Sequence, residues 1–178
     1  MSSPSDGDAL GLWRHLPVDV QTANIAAVAY GTHPWATTIA PDVQFFADGE
    51  DLAEGAVEAF LRELAAPLDA LGVDLRVETV NQPESGAYVV SINGNAILLW
   101  DHRSWTSDVE VENPWLAATV RPLAALNALL ANAGAVERFF TLYAGGNEGL
   151  ALLIDPAVVA ELAHSGLASR LELPVEAR

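Results

Sequence analysis

NPWLAATVRPLAALNALLANAG, residues 113–134, holds no acid and a single base, Arg121, in a chain that carries 24 acids elsewhere. Asn113 before Pro114 reads as an N-cap followed by Pro at the first helical position, where its missing N–H costs nothing. Trp115, Leu116, Val120, Leu123, Leu126, Leu129 and Leu130 leave almost no polar face, so this helix needs cover on more than one side. Pro122 lies past the first turn and is expected to kink the helix or divide it in two, and Gly134 closes it. The next residues supply sheet. Val136–Tyr143 and Leu150–Ile154 read as a hairpin around the loop Ala144–Gly149. Asp155-Pro156 then caps a last helix, stopped by Gly166, and 171–178 read as a short strand or a frayed tail.

Before residue 113, Tyr88–Ile92 and Ala96–Trp100 flank Asn93-Gly94, a dipeptide suited to positive φ at both positions and hence to a tight hairpin. Val73, Leu75 and Val77 alternate with charged residues, which predicts a half-exposed strand, and Asn81–Gly86 reads as a turn. Thr106–Glu112 alternates Val109 and Val111 with Asp108, Glu110 and Glu112, an edge strand or extended arm. A helix begins at Asp48 or at Glu50-Asp51. Its apolar face is Leu52, Ala56, Phe60, Leu64, Leu68 and Leu71, and Asp51, Glu54 and Glu58 share the other face, with Arg62 one turn after Glu58. Pro67 is expected to kink or split its last turns, and Gly72 to cap it. The first 47 residues are the least patterned. Leu10, Leu12, Trp13 and Leu16 suit a short helix ended by Pro17; 19–30 suits a helix or a strand; Val43–Phe46 suits a short strand.

From residue 50 the order is α-β-β-β-α-β-β-α. It describes one α+β domain over 1–178 with a mainly antiparallel, twisted sheet and helices packed on it. Residues 1–47 read as an extension or covering segment, 48–166 as the core and 167–178 as a tail. Strands 96–100, 139–143 and 150–154 are apolar on both faces, so helices, the N-terminal segment or a second subunit must cover both sides of the sheet. In particular, helix 113–133 is expected to bury part of its surface against the N-terminal segment or a partner copy.

This order resembles that of bacterial secretion-chaperone-like proteins, a twisted antiparallel sheet with three helices. PLAALNALLANAG (122–134) and ERFFTLYAGGNEGLALLID (137–155) resemble their middle helix and final hairpin. The composition is also similar to that of toxin-immunity proteins, many of them small acidic α+β domains. Either resemblance implies a non-enzymatic protein that binds another protein, in the first case as a homodimer, and neither implies catalytic residues.

All eight basic residues are Arg, and the formal net charge is −16. Such a chain is repelled by nucleic acid phosphates and anionic lipid, so its natural partner is a basic protein surface. Without Lys there is no Schiff-base chemistry and no P-loop lysine; without Cys there is no disulfide, thiolate or Cys-ligated zinc. Composition alone also fits GC-rich coding, with acidity serving solubility. The N-terminal MSSPSDGDAL is polar and acidic rather than a secretory signal, and the longest apolar stretch, Trp115–Ala131, is interrupted by Arg121, Pro122 and Asn127. These features predict a cytoplasmic protein.

Trp100-Asp-His-Arg-Ser-Trp105 is the most suggestive short segment. Asp101 and His102 are neighbours on a strand end and point to opposite faces, which works against a dyad, and Ser104 sits in no nucleophile elbow. Trp and Arg are favoured interface anchors, so Trp100, Arg103 and Trp105 are candidate partner-binding residues. Asp51, Glu54 and Glu58 join them as the acids that would steer a basic partner. No two of His15, His33, His102 and His164 have metal-ligand spacing. The loop Gly145–Gly149 lies between strands and lacks a base, so it suits a turn rather than a phosphate cradle. Asp108, Glu110 and Glu112 lack the rest of a calcium loop. The favoured function is an inhibitor-, immunity- or chaperone-like binding protein without cofactor or metal. The alternatives are a small hydrolase-like enzyme using Asp101, His102 and Glu148, and a structural subunit of a larger assembly.

Overall fold

A computed structural model describes residue 13 and residues 16–29, 43–102, 113–165 and 172–178. Arg103, Trp105 and the segment Thr106–Glu112 lie outside the described residues. The elements are α1 (Val18–Ala29), β1 (Gln44–Phe46), α2 (Gly49–Asp51), α3 (Val57–Glu63), α4 (Ala65–Ala70), β2 (Val77–Asn81), β3 (Ala87–Ile92), β4 (Asn95–Asp101), α5 (Pro114–Ala133), β5 (Arg138–Leu142), β6 (Leu150–Ile154), α6 (Pro156–Ser165) and β7 (Val175–Glu176).

The class is α+β, and among the described residues every strand pair is antiparallel and the strands form two sheets rather than one: β1-β6-β5-β7 and β2-β3-β4. Helix α5 lies between them. Its Ala118, Leu123, Leu126 and Leu130 share one core with Phe139, Ala151 and Leu153 of the first sheet and with Val90, Ile92 and Leu99 of the second. The cover that this acid-free helix demands is thus supplied within the chain, by two sheets and by Leu52, Val57 and Leu61 of the α2–α3 segment. Among the described residues α5 is the one helix long and apolar enough to cross a membrane, and its place between the sheets makes it a core helix. Asn113 Oδ1 accepts from Trp115 N–H at 2.9 Å, the expected cap, and Gly134 ends the helix in the left-handed conformation. Pro122 does not divide it: one helix runs from Pro114 to Ala133.

The first sheet is covered on its other face as well. Phe140, Leu142, Leu152 and Ile154 form a second core with Trp13 and Leu162, joined by Ile25 of α1 and Val158 and Val159 of α6. The sheet also extends past residues 48–166 at both ends, because β1 comes from the N-terminal segment and β7 from the tail. Asn127 fastens that tail. Buried in α5, its Oδ1 accepts from Phe139 N–H (2.6 Å) and its Nδ2 donates to Phe139 O and Ala177 O (both 2.9 Å), so every one of these buried polar atoms is paired.

Among the described residues the second sheet is covered on one face only. Tyr88, Val90 and Ile92 point inward and are buried; Ala87, Val89 and Ser91 alternate outward. The apolar 96–100 run, which predicts a strand covered on both faces, has a different cause. Tyr88 pairs with Trp100 and Val89 with Leu98, so Leu99 is an extra residue and the strand bulges. Leu99 and Trp100, adjacent in sequence, are both buried on the same side, and Leu98 is left outside. The other deviation lies in β2. Ladder pairing starts at Val77 rather than Val73 and runs through Asn81, which reads as turn in the sequence. Asn93 explains the start: its Oδ1 accepts from Arg76 N–H (2.7 Å), its Nδ2 donates to Asp74 O (2.9 Å), and its own N–H donates to Arg76 O (2.8 Å). One side chain and its backbone thus take the partners a strand would otherwise supply. Asn93 and Gly94 have φ of 49° and 84°, as the hairpin requires.

Candidate functional site

The helix that opens at Asp48 carries the acids singled out in the sequence. Asp48 Oδ1 accepts from Glu50 N–H (2.9 Å) and Asp51 N–H (3.2 Å), an N-cap with two acids in the first turn. The helix then breaks at Gly55, whose φ of 125° and ψ of 0° no L-residue adopts without strain. An unbroken α-helix would join Val57 N–H to Ala53 O. Here Val57 N–H donates to Tyr88 Oη (3.2 Å), and Trp100 Nε1–H donates to Ala53 O (3.0 Å). The two rings meet edge to face at 6.3 Å, so β3 and β4 hold both sides of the break.

Trp100, a candidate anchor for a partner, is therefore a core residue, only 7% exposed and committed to Ala53. The bulge at Leu99 turns it inward. Arg103 and Trp105 lie outside the described residues, so of that segment only Trp100, Asp101 and His102 are placed. Asp51 and Glu54 are exposed on the helix, as a steering role needs. Glu58 is not free to join them. Its carboxylate accepts from Thr79 N–H of β2 (2.8 Å) and pairs with Arg62. Hydrogen bonds from Thr79, side chain first and then backbone, hold its pKa below the ordinary carboxylate value, with a smaller contribution from Arg62. A carboxylate so committed is a weak base and a poor proton donor at neutral pH. Burial pushes the neighbouring Tyr88 hydroxyl up, so it stays protonated through the physiological range.

Asp101 ends β4 and His102 follows it, its N–H donating to Gly86 O (2.8 Å), whereas Glu148 sits in the β5–β6 loop of the other sheet. An open cleft of about 280 Å3 at the β2–β3 end is lined by Arg76, Val77, Glu78, Ser91, Asn93 and Gly94 and contains none of the three. Among the described residues no three His, Asp or Glu side chains gather as metal ligands.

A different place brings exposed groups together. The β5–β6 loop packs against the β1–α2 corner with almost no room between backbones. A Cβ on Gly149 would stand 2.3 Å from Ala47 O and 3.3 Å from Tyr143 O; one on Gly49 would stand 2.7 Å from Gly145 Cα; one on Gly145 would stand 2.9 Å from Leu116 N, at the start of α5. Ala47 N–H donates to Gly149 O (2.8 Å) and Gly49 N–H to Gly146 O (3.0 Å). Three glycines thus let a loop, a strand corner and a helix start interlock. The sequence shows these glycines, but close approach explains them better than turn geometry: of Gly145, Gly146 and Gly149 only Gly145 has positive φ. Tyr143 is also left-handed, at φ 55°, a position that disfavours bulky residues.

The junction presents two aromatic side chains that sequence reasoning passed over. Phe46, next to Ala47, is 61% exposed, and Tyr143 is 49% exposed. Glu148, next to Gly149, is exposed, and Asn147 Nδ2 donates to Glu50 Oε2 (3.1 Å), tying the loop to the acidic first turn of the helix. Two exposed aromatics on a rigid base, beside Glu50, Asp51 and Glu148, make a surface suited to cationic, partly apolar groups. The signal available in sequence was an aromatic beside each of two glycine-containing segments; nothing local showed that the two segments would interlock. Comparison with protein-family models, with curated protein sequences and with solved structures finds no match.

Proposed function

We propose that this chain is a cytoplasmic, non-enzymatic binding protein of the inhibitor, immunity or chaperone kind, and that it engages a basic protein through the glycine-locked junction. The observation that carries this reading is the presence of exposed Phe46, Tyr143, Asp51 and Glu148, with Glu50, on the segments that the interlocked backbone joins. Rigid aromatics lose little entropy on binding and act as anchors; the acids raise the encounter rate of a cationic partner. Asp51 and Glu54 keep the steering role read from the sequence. A photo-crosslinking residue placed at Tyr143 should capture a defined basic protein, while the same residue at exposed Asn132 should not. With that protein in hand, Tyr143→Ala should weaken binding by about 2 kcal/mol or more. Asp51→Asn with Glu148→Gln should slow association and flatten its salt dependence, leaving dissociation little changed. Equal capture at both positions, or an association rate indifferent to salt, would count against the reading.

A further inference from the structure

We propose that the outer face of the β2-β3-β4 sheet is a self-association surface whose occupant is a second copy of this chain. The face lies on the other sheet from the junction and stands or falls independently of it. Its middle is apolar where an antiparallel sheet facing water is normally polar. Val89 pairs with Leu98 on one side and with Asn81 on the other, and Val80, the extra residue of the β2 irregularity between Thr79 and Asn81, lies next to that pair. Val80 is 53% and Leu98 45% exposed, so the row presents its side chains outward.

The edges of the same sheet are closed. On β2, Glu58 occupies Thr79 N–H; on β4, Arg121 Nη1 donates to Leu98 O (2.8 Å) and Leu99 O (3.1 Å). A partner adding a strand would have to displace a carboxylate on one side or a guanidinium on the other. Blocked edges with an apolar face favour packing face to face.

Charge selects the occupant. A protein of net charge −16 repels its own copies over most of its surface. This face is close to balanced, with Arg76 set against Glu78 and, at the far end, Asp101 opposite Ala87. Arg76 and Glu78 line the same cleft, and no described residue pairs with the Arg76 guanidinium. A two-fold axis along β3 sets Val80 of each copy against Leu98 of the other, which makes the face self-complementary.

The test is sedimentation of the full chain across the micromolar range, at low and high salt. The wild type should dimerise, and more tightly at high salt, because screening relieves the repulsion between two acidic bodies. Leu98→Asp and Val80→Asp should each give monomers with unchanged circular dichroism; using both guards against one variant misfolding. A wild type that stays monomeric at high micromolar concentration, a dimer that survives both Asp variants, or a dimer that salt dissociates would overturn the proposal.

Discussion

Tyr88 and Trp100 are held twice, by packing and by the two backbone groups that Gly55 leaves open. Trp100→Ala removes a buried ring and strands Ala53 O, so about 3–5 kcal/mol should be lost on denaturant unfolding. Tyr88→Phe keeps the ring and leaves Val57 N–H without its partner, at about 1–3 kcal/mol. Since both act on one helix break, the double variant should cost less than the two single losses together; simple additivity would show that the break is not a shared unit. Glu58 gives a pH signature. Its folded-state pKa is depressed, so the ionised carboxylate stabilises the fold above the unfolded-state pKa, and that contribution fades as pH falls through the folded value. Glu58→Gln should lower stability at neutral pH and flatten the acid limb of the stability curve; parallel curves for the two proteins would refute this. At this scale the sequence told which residues are aromatic or acidic but not which way they face. Trp100 is turned inward by a bulge that no local pattern announces, and Glu58 is drawn from its acidic row by a strand 21 residues away.

Elements with local causes were legible. The cap and stop of α5, the Asn93-Gly94 turn, the Asp155 cap, which accepts from Ala157 N–H at 2.8 Å, and the split before Pro67 all follow from side chains within a few residues. Elements with distant causes were not. Val73 and Leu75 alternate in burial like a strand, yet their segment is clamped by Asn93 instead of joining the ladder. The Gly145–Gly149 loop reads as a turn and is in fact a joint. Gly149→Ala tests that reading: its methyl group would lie on Ala47 O, forcing the β1–α2 corner away from the loop. A loss of about 1–3 kcal/mol is expected, with amide-exchange protection falling at Ala47 and Gly49 before it falls in β3. If the protection lost is spread evenly, the joint is not a distinct unit.

For the molecule as a whole, element order was readable and strand partnership was not. The order α-β-β-β-α-β-β-α holds from residue 49, but nothing in it says that the first three strands leave the other two to make a separate sheet. The sign of the salt effect now separates the two proposed surfaces. Salt should weaken capture of a basic partner at the junction and strengthen pairing through the β2-β3-β4 face. The way the two sheets are drawn from the chain has a further consequence, in time rather than in space. Strands β2, β3 and β4 are neighbours in sequence and can pair as soon as they are made. The other sheet joins Phe45 to Ala151, and its last strand and the Asn127 amide need Val175 and Ala177. A chain emerging from the ribosome therefore holds one finished sheet while α5 and β5 still lack most of their cover. During that interval the oiliest stretch of the protein is exposed, and the negative charge around it opposes the association of one nascent chain with another.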